Sequence, residues 1–278
     1  MLVNMKEMLD KARRESYGVG FFNAVNVEMA RAVIETAEEM NSPVIVGTAE
    51  ILLPVTELEN VADYLIPMAK RASVPVCVHY DHGLTFERCI EALKLGFTSI
   101  MYDCSTCSYE DNVDRLAEMV RICHAYGATV EGELGHVGDN EGAGKLAKPE
   151  DYYTDPKEAD DFVRRTGVDA LAVAVGNAHG DYKFPPKLDF DRIKTISDIT
   201  GIPLVLHGGS GLADDDFRTA VKMGICKINI FTDLDKAAAA GVKSAIEQGE
   251  TAMTKIIPVE TEAMRKVVRQ KIALFSGR

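Results

Sequence analysis

Three histidines each stand just past a short apolar run and just before a glycine: His82-Gly83, His179-Gly180 and His207-Gly208. The runs are 74–78, 170–175 and 202–206. Apolar runs of that length, bounded by turn residues, read as fully buried parallel strands. The ends of such strands are where α/β proteins place their chemistry. Three convergent imidazoles with an open fourth position make a catalytic zinc site. The chain has six histidines, so half of them fall in this one kind of place. A glycine after each lets backbone approach a ligand closely.

Further polar residues gather at the same strand ends. His79 and His82 would face opposite sides of a regular strand. Both cannot be ligands unless the strand ends between them, and Gly83 reads as the sign that it does, which leaves Asp81 and His82 as the pair at its tip. His79 then reads as a buried, hydrogen-bonded residue. Glu131 and Glu133 flank Gly132 and point the same way. Two carboxylates aimed into a barrel are costly unless they meet a metal, a cation or water. Asp103 is a similar candidate at the fourth strand end. His207-Gly-Gly-Ser-Gly211 reads as a phosphate cradle, because glycine-rich turns aim several N–H groups at an anion and a helix follows. The plainer reading of those glycines is a tight turn.

The elements that must position these residues alternate from end to end. Candidate strands cover 18–22, 43–47, 74–79, 98–102, 128–132, 169–175, 203–207 and 226–230. Amphipathic helical segments cover 28–40, 57–72, 85–95, 112–126, 155–166, 189–200, 214–223, 233–248 and 260–275. Alternating βα units imply a parallel sheet with helices outside. Eight units within 278 residues imply an α/β fold of the closed (β/α)8 TIM-barrel type. The expectation is one domain over 1–278 with a C-terminal helical extension. The longest irregular stretch, 135–154, reads as a lid or binding loop.

Composition narrows the function classes. The formal charge of −12 excludes nucleic acid or an anionic membrane as the main partner, since both need a basic surface. No run approaches the length of a membrane span, and the N-terminus lacks a signal-peptide core, so the expected location is cytoplasmic. Six scattered cysteines then read as reduced thiols. Cys104-Ser-Thr-Cys107 spells C-x-x-C, a redox or zinc pattern, but no second pair accompanies it. The reading favours incidental thiols.

Taken in order, these residues resemble the class II, zinc-dependent ketose-bisphosphate aldolases of the fructose- and tagatose-bisphosphate type. The resemblance runs nearly the whole length. It is carried by Phe22-Asn23-Ala-Val-Asn26, Ser42-Pro-Val-Ile45, Asp81-His-Gly83, Glu131-Gly-Glu-Leu-Gly135 and Tyr153-Thr-Asp-Pro156. Its strongest stretches are Gly176-Asn-Ala-His-Gly180 with Lys183, Val205-Leu-His-Gly-Gly-Ser-Gly211, and Lys227-Ile-Asn-Ile230 with Thr232. The resemblance implies cleavage or formation of a ketose 1-phosphate or 1,6-bisphosphate, giving dihydroxyacetone phosphate and an aldehyde through a zinc-stabilised enediolate. It implies that His82, His179 and His207 hold Zn2+. Asp81 would be the acid/base on the aldehyde oxygen, equivalently the C4 hydroxyl. Glu141 would move the C3 proton. Asn23, Gly180, Lys183, Gly208, Gly209, Ser210, Asn229, Ile230, Phe231 and Thr232 would form the substrate site, and Asp103 and Glu133 would be carboxylates near the metal. A monovalent cation, Na+ or K+, near Gly180 and Gly208 is implied as well, as is a homodimer or homotetramer.

The chain also departs from that pattern. Val46-Gly-Thr-Ala49 stands where relatives carry a serine. Lys255-Ile-Ile-Pro-Val259 replaces an aspartate-proline-arginine segment whose arginine reaches a neighbouring subunit's substrate, although Arg265 or Lys266 could substitute. Phe231 occupies a position that is acidic in the fructose enzymes. Losing an arginine–phosphate contact weakens a second phosphate site. The expected substrate is therefore a ketose 1-phosphate whose aldehyde half is not a standard phosphorylated triose. The alternatives are an ordinary fructose- or tagatose-1,6-bisphosphate aldolase and, more distantly, a non-catalytic sugar-phosphate-binding protein. A zinc hydrolase on the same barrel would show His-x-His on its first strand, where this chain has Val19-Gly-Phe-Phe-Asn23.

Overall fold

The computed structural model describes residues 1–135, 153–177 and 187–277. Among these residues nine parallel strands run in chain order: β1 (Leu2–Val3), β2 (Val19–Asn23), β3 (Val44–Ala49), β4 (Val76–Gly83), β5 (Ser99–Tyr102), β6 (Thr129–Leu134), β7 (Ala170–Val173), β8 (Leu204–Leu206) and β9 (Ile225–Ile230). Strands β2 to β9 pair each with the next, and β9 pairs back with β2, so the sheet closes into an eight-stranded (β/α)8 barrel. All eight expected strands are present. The short β1 was not foreseen; it pairs with Val76 and Cys77 at the start of β4.

Among the described residues, ten α-helices accompany the strands: α1 (Met5–Glu15), α2 (Val27–Glu39), α3 (Leu58–Arg71), α4 (Phe86–Leu95), α5 (Tyr109–Ala125), α6 (Pro156–Thr166), α7 (Phe190–Thr200), α8 (Asp214–Met223), α9 (Thr232–Glu247) and α10 (Met253–Ser276). Local chemistry starts and stops them. Asn26 accepts the Met29 N–H, and Asp155 accepts from Lys157 and Glu158 with Pro156 at the first helical position. Gly96, Gly167 and Gly201 end α4, α6 and α7 in the left-handed conformation. Helix α10 begins at Met253 rather than beyond Pro258, so the proline lies inside the helix instead of before it.

Two apolar cores hold the barrel. The larger lies between the strands and the outer helices, with Phe22, Val46, Val78, Tyr80, Ile100, Val130, Leu171 and Ile228 pointing outward. The smaller fills the barrel's N-terminal end. There α1 contributes Met5, Met8, Leu9 and Ala12 against inward Phe21, Ile45, Cys77, Ala172 and Val205. Side chains alternate between the two cores with the period of two that a strand imposes. The amphipathic N-terminus is thus a plug for the barrel. Apolar groups fill that end, and Asp81, His82 and His207 stand at the opposite, C-terminal rim.

Candidate active site

The first inward polar layer above the plug spans four neighbouring strands by register: Asn23 pairs with Gly47, Gly47 with His79, and His79 with Ser99. His79 is fully buried, and its Nδ1 shares a hydrogen bond with Ser99 Oγ at 2.9 Å, the structural role expected of it. Lys227 is also fully buried. Its ammonium lies 2.8 Å from Glu131 Oε2, 3.9 Å from Asp81 Oδ1 and 4.6 Å from the centre of the Phe21 ring. One cation thus serves two carboxylates and an aromatic face in a fully buried interior.

At the rim, strand β4 does not end before His82. It continues to Gly83, with an irregularity in its pairing to β5 between Tyr80 and Gly83. His82 sits there at φ +42°, one of three non-glycine residues among those described with positive φ. A regular strand would send Asp81 and His82 to opposite faces. The bulged, left-handed turn at His82 cancels that alternation and brings both to one place. Ligand atoms of Asp81, His82 and His207 lie within 4.8 Å of one another, and the His82 and His207 ring centres are 4.6 Å apart.

Carboxylates orient these imidazoles. Asp103 Oδ2 accepts the His82 Nδ1–H at 2.7 Å. His207 is flanked on both nitrogens, with Glu131 Oε1 2.9 Å from Nε2 and Glu133 Oε2 3.1 Å from Nδ1. Asp81 accepts from Asn229 Nδ2 at 3.1 Å and from Asn23 Nδ2 at 3.4 Å. Burial opposes charge on Asp81, but His82, the His79 bond, Lys227 and His207 together outweigh it and hold the carboxyl well below its usual range. Burial likewise opposes a charged His207, yet its two glutamates push the imidazole up to about 10. His82 is raised too, with Asp81 the strongest influence against burial.

The donors fit zinc. The His82 and His207 imidazoles lie close enough to be drawn onto one ion by bonds of about 2 Å, with the Asp81 carboxylate beside them. Asp103 and Glu133 also group with His82. A third cluster, His79, Asp81 and Glu131, already holds the Lys227 ammonium beside it. That fixed cation disfavours a metal there.

The glycine-rich loop after β8 is tied to the end of β9. The Gly209 N–H donates to the Asn229 carbonyl at 3.2 Å, and Ser210 Oγ accepts the Asp233 N–H at 3.3 Å. A Cβ on Gly209 would lie 2.8 Å from that carbonyl oxygen, so only glycine fits. Gly208, Gly209 and Ser210 are thereby brought beside Asn229, Phe231 and Thr232, the first residue of α9. The Ile230 side chain is turned away, buried in the outer core, so it would meet a ligand only through its backbone. His179, Gly180, Lys183 and Glu141 lie outside the described residues, as does most of the 135–154 stretch.

Three contributors were missed as site residues. Glu131 was read only as a costly carboxylate and Lys227 only as part of a strand end. Asn177 received no role, yet its Nδ2 donates to the His207 carbonyl at 3.1 Å. A lysine between two apolar residues of a buried strand was the available signal for Lys227. No comparable signal marked Asn177.

The chain belongs to the class-II fructose-bisphosphate aldolase family, whose model matches residues 3–278. It is accordingly an aldehyde-lyase of the zinc-dependent class. The uncharacterized protein YdjI of Escherichia coli K12 is 40% identical over 277 residues, covering 100% of this chain and 98% of that protein. A fructose-bisphosphate aldolase of Geobacillus stearothermophilus is also 40% identical, over 287 residues and 99% of this chain and 97% of its own. The crystal structure of the YdjI aldolase from Escherichia coli K12 matches with a TM-score of 0.89 at 37% identity, covering 99% of this chain and 97% of that one. Among the described residues, no helix is long and apolar enough to cross a membrane.

Proposed function

We propose that the chain cleaves and forms a ketose 1-phosphate at the barrel's C-terminal rim, with dihydroxyacetone phosphate as the constant half. The observation that carries this reading is the convergence of Asp81, His82 and His207 from β4 and the end of β8, with each side chain oriented by its own partner. His82, His207 and the undescribed His179 would hold zinc. When bound, zinc supplies a Lewis acid for the substrate's ketone and the charge that develops on it.

The protein's own groups do the rest. Asp81, kept ionised by its neighbours, takes the proton of the C4 hydroxyl as the C3–C4 bond breaks. In the forming direction it returns that proton to the aldehyde oxygen. Asn23 and Asn229 hold the carboxylate in place. The glycine-rich loop 208–210, tied through Gly209 to the end of β9, stands beside the N-terminus of α9, and the two would together cradle one phosphate. Lys183 and Gly180 would complete it, Glu141 would serve the C3 proton, and a monovalent cation would sit near Gly180 and Gly208. The assembly that the resemblance implies, a homodimer or homotetramer, belongs to the same proposal.

The choice of a single phosphate rests on the missing C-terminal arginine and on Arg265. That side chain is bound to Glu35, Glu39 and Glu262 on the outside of the barrel, which leaves it a poor substitute. Identity does not decide the substrate, since YdjI and the Geobacillus enzyme are equally similar. A coupled assay for dihydroxyacetone phosphate release from ketose 1-phosphates and 1,6-bisphosphates tests the proposal. Release from monophosphates, abolished by Asp81→Asn and by chelation, supports it. Faster cleavage of fructose or tagatose 1,6-bisphosphate than of every monophosphate would overturn the substrate assignment.

A further inference from the structure

The C-x-x-C pattern gains meaning from its position. Cys104 and Cys107 are the first and last residues of a tight turn immediately after β5, closed by a hydrogen bond from the Cys107 N–H to the Cys104 carbonyl at 2.9 Å. A turn of this kind brings its end Cα atoms within about 7 Å. Disulfides span about 4.4–6.8 Å between Cα atoms. The turn therefore sets the two backbones at a distance a disulfide can bridge. One thiol is exposed and the other buried. That asymmetry suits an outer thiol that meets an oxidant and an inner one that resolves it.

The same turn follows directly on the residue that aims His82. Asp103 immediately precedes Cys104. One of its oxygens accepts the His82 Nδ1–H at 2.7 Å, and the other accepts the N–H of Ser105, inside the turn, at 3.0 Å. The backbone that a disulfide would lock is the backbone that holds this carboxylate.

We propose that Cys104 and Cys107 are a reversible oxidation site for hydroperoxides, coupled through Asp103 to the orientation of His82. Cys107 attacks the peroxide, the O–O bond breaks, an alcohol or water leaves, and a sulfenic acid remains. The Cys104 sulfur displaces that hydroxyl as water and forms the S–S bond. Two thiols lose two electrons and two protons, and the peroxide is reduced. A dithiol reverses the step. The coupling to His82 rests on the zinc reading above, whereas the disulfide does not.

The test uses the full chain with zinc bound, hydrogen peroxide as oxidant and alkylation of the remaining thiols. After tryptic digestion both cysteines fall in one peptide, 95–115, which contains no other cysteine. The expected product is this peptide two hydrogens lighter and unalkylated, restored by dithiothreitol and absent in Cys107→Ser. Zinc affinity, measured by competition with a chromogenic chelator, is expected to fall about tenfold on oxidation, the lower end of what loss of an outer carboxylate costs. It should not change on oxidation of Cys107→Ser. Over-oxidation of Cys107 with Cys104 still alkylatable would overturn the disulfide. A disulfide with unchanged zinc affinity would overturn the coupling. Reduced protein that bound no zinc would sink the metal reading and the coupling together, while the peptide mass would still decide the disulfide.

Discussion

Asp103 Oδ2 accepts the Nδ1–H of His82 at 2.7 Å, across the pairing of β4 with β5 where the strand irregularity lies. The bond fixes which nitrogen of the imidazole is left to face His207, and it steadies a residue in the left-handed region of backbone space.

Removing that carboxylate is therefore expected to weaken the metal site without unfolding the barrel. Asp103→Ala should lower zinc affinity about 10–100-fold, as outer partners of metal-bound histidines commonly do. A chelator-competition titration reads this directly. Unchanged affinity would mean that His82 is held by something else.

The glutamates around His207 predict a pH dependence. In the metal-free chain they push the imidazole up to about 10 against the effect of burial. Zinc requires it neutral, so binding must displace that proton. Affinity should rise with pH, about tenfold per unit for one proton released, and flatten near pH 10. The same shift has a stability consequence for the metal-free chain. A raised folded-state value stabilises most below the unfolded imidazole's value of about 6.5, and that contribution is lost as pH rises through about 10. Calorimetry with and without zinc at several pH values checks both signs. Zinc binding with no pH dependence would contradict the neighbours assigned to His207.

Lys227 is the only lysine among the described residues that is fully buried, and Glu131 is its nearest carboxylate at 2.8 Å. Lys227→Met should cost about 3–5 kcal/mol, because it strands a buried carboxylate without its cation. Adding Glu131→Gln should recover part of the loss. Urea denaturation of the two single variants and the double variant measures the coupling, and strict additivity would dissolve the pair as an energetic unit.

Gly47 marks a close approach. A Cβ there would stand 1.7 Å from the His79 carbonyl oxygen on the neighbouring strand. Gly47→Ala must push β3 and β4 apart beside Asp81, and a loss of about 3 kcal/mol is expected. A denaturation midpoint indistinguishable from the wild type would show that the strands yield more easily than this.

Much of this architecture was legible because strands and helices announce themselves by period. The eight barrel strands followed from apolar runs bounded by turn residues. Helix α1 was not among the expected helices, and nothing local says that Met5, Met8 and Leu9 enter the barrel's end. That is a tertiary fact. The β4 tip was misread for a related reason. Period-two reasoning needed the strand to stop before His82, whereas the structure continues it and bends it at one residue. Helix α10 started earlier than expected because a proline inside a helix reads as its beginning. The histidine and aspartate positions were legible because strand ends collect chemistry. The roles of Lys227 and Asn177 depend on neighbours brought together only by closure of the barrel.

The most direct test needs no knowledge of the aldehyde. The zinc-loaded chain is incubated with dihydroxyacetone phosphate alone in deuterated water, and the C3 hydrogens are followed by proton NMR. The account predicts stereospecific exchange of one hydrogen. Exchange should stop on chelation and in His82→Ala, and persist in Asp81→Asn, which acts only on the aldehyde half. Zinc-loaded protein that binds dihydroxyacetone phosphate but exchanges no hydrogen would contradict the assignment of this rim as an aldolase centre.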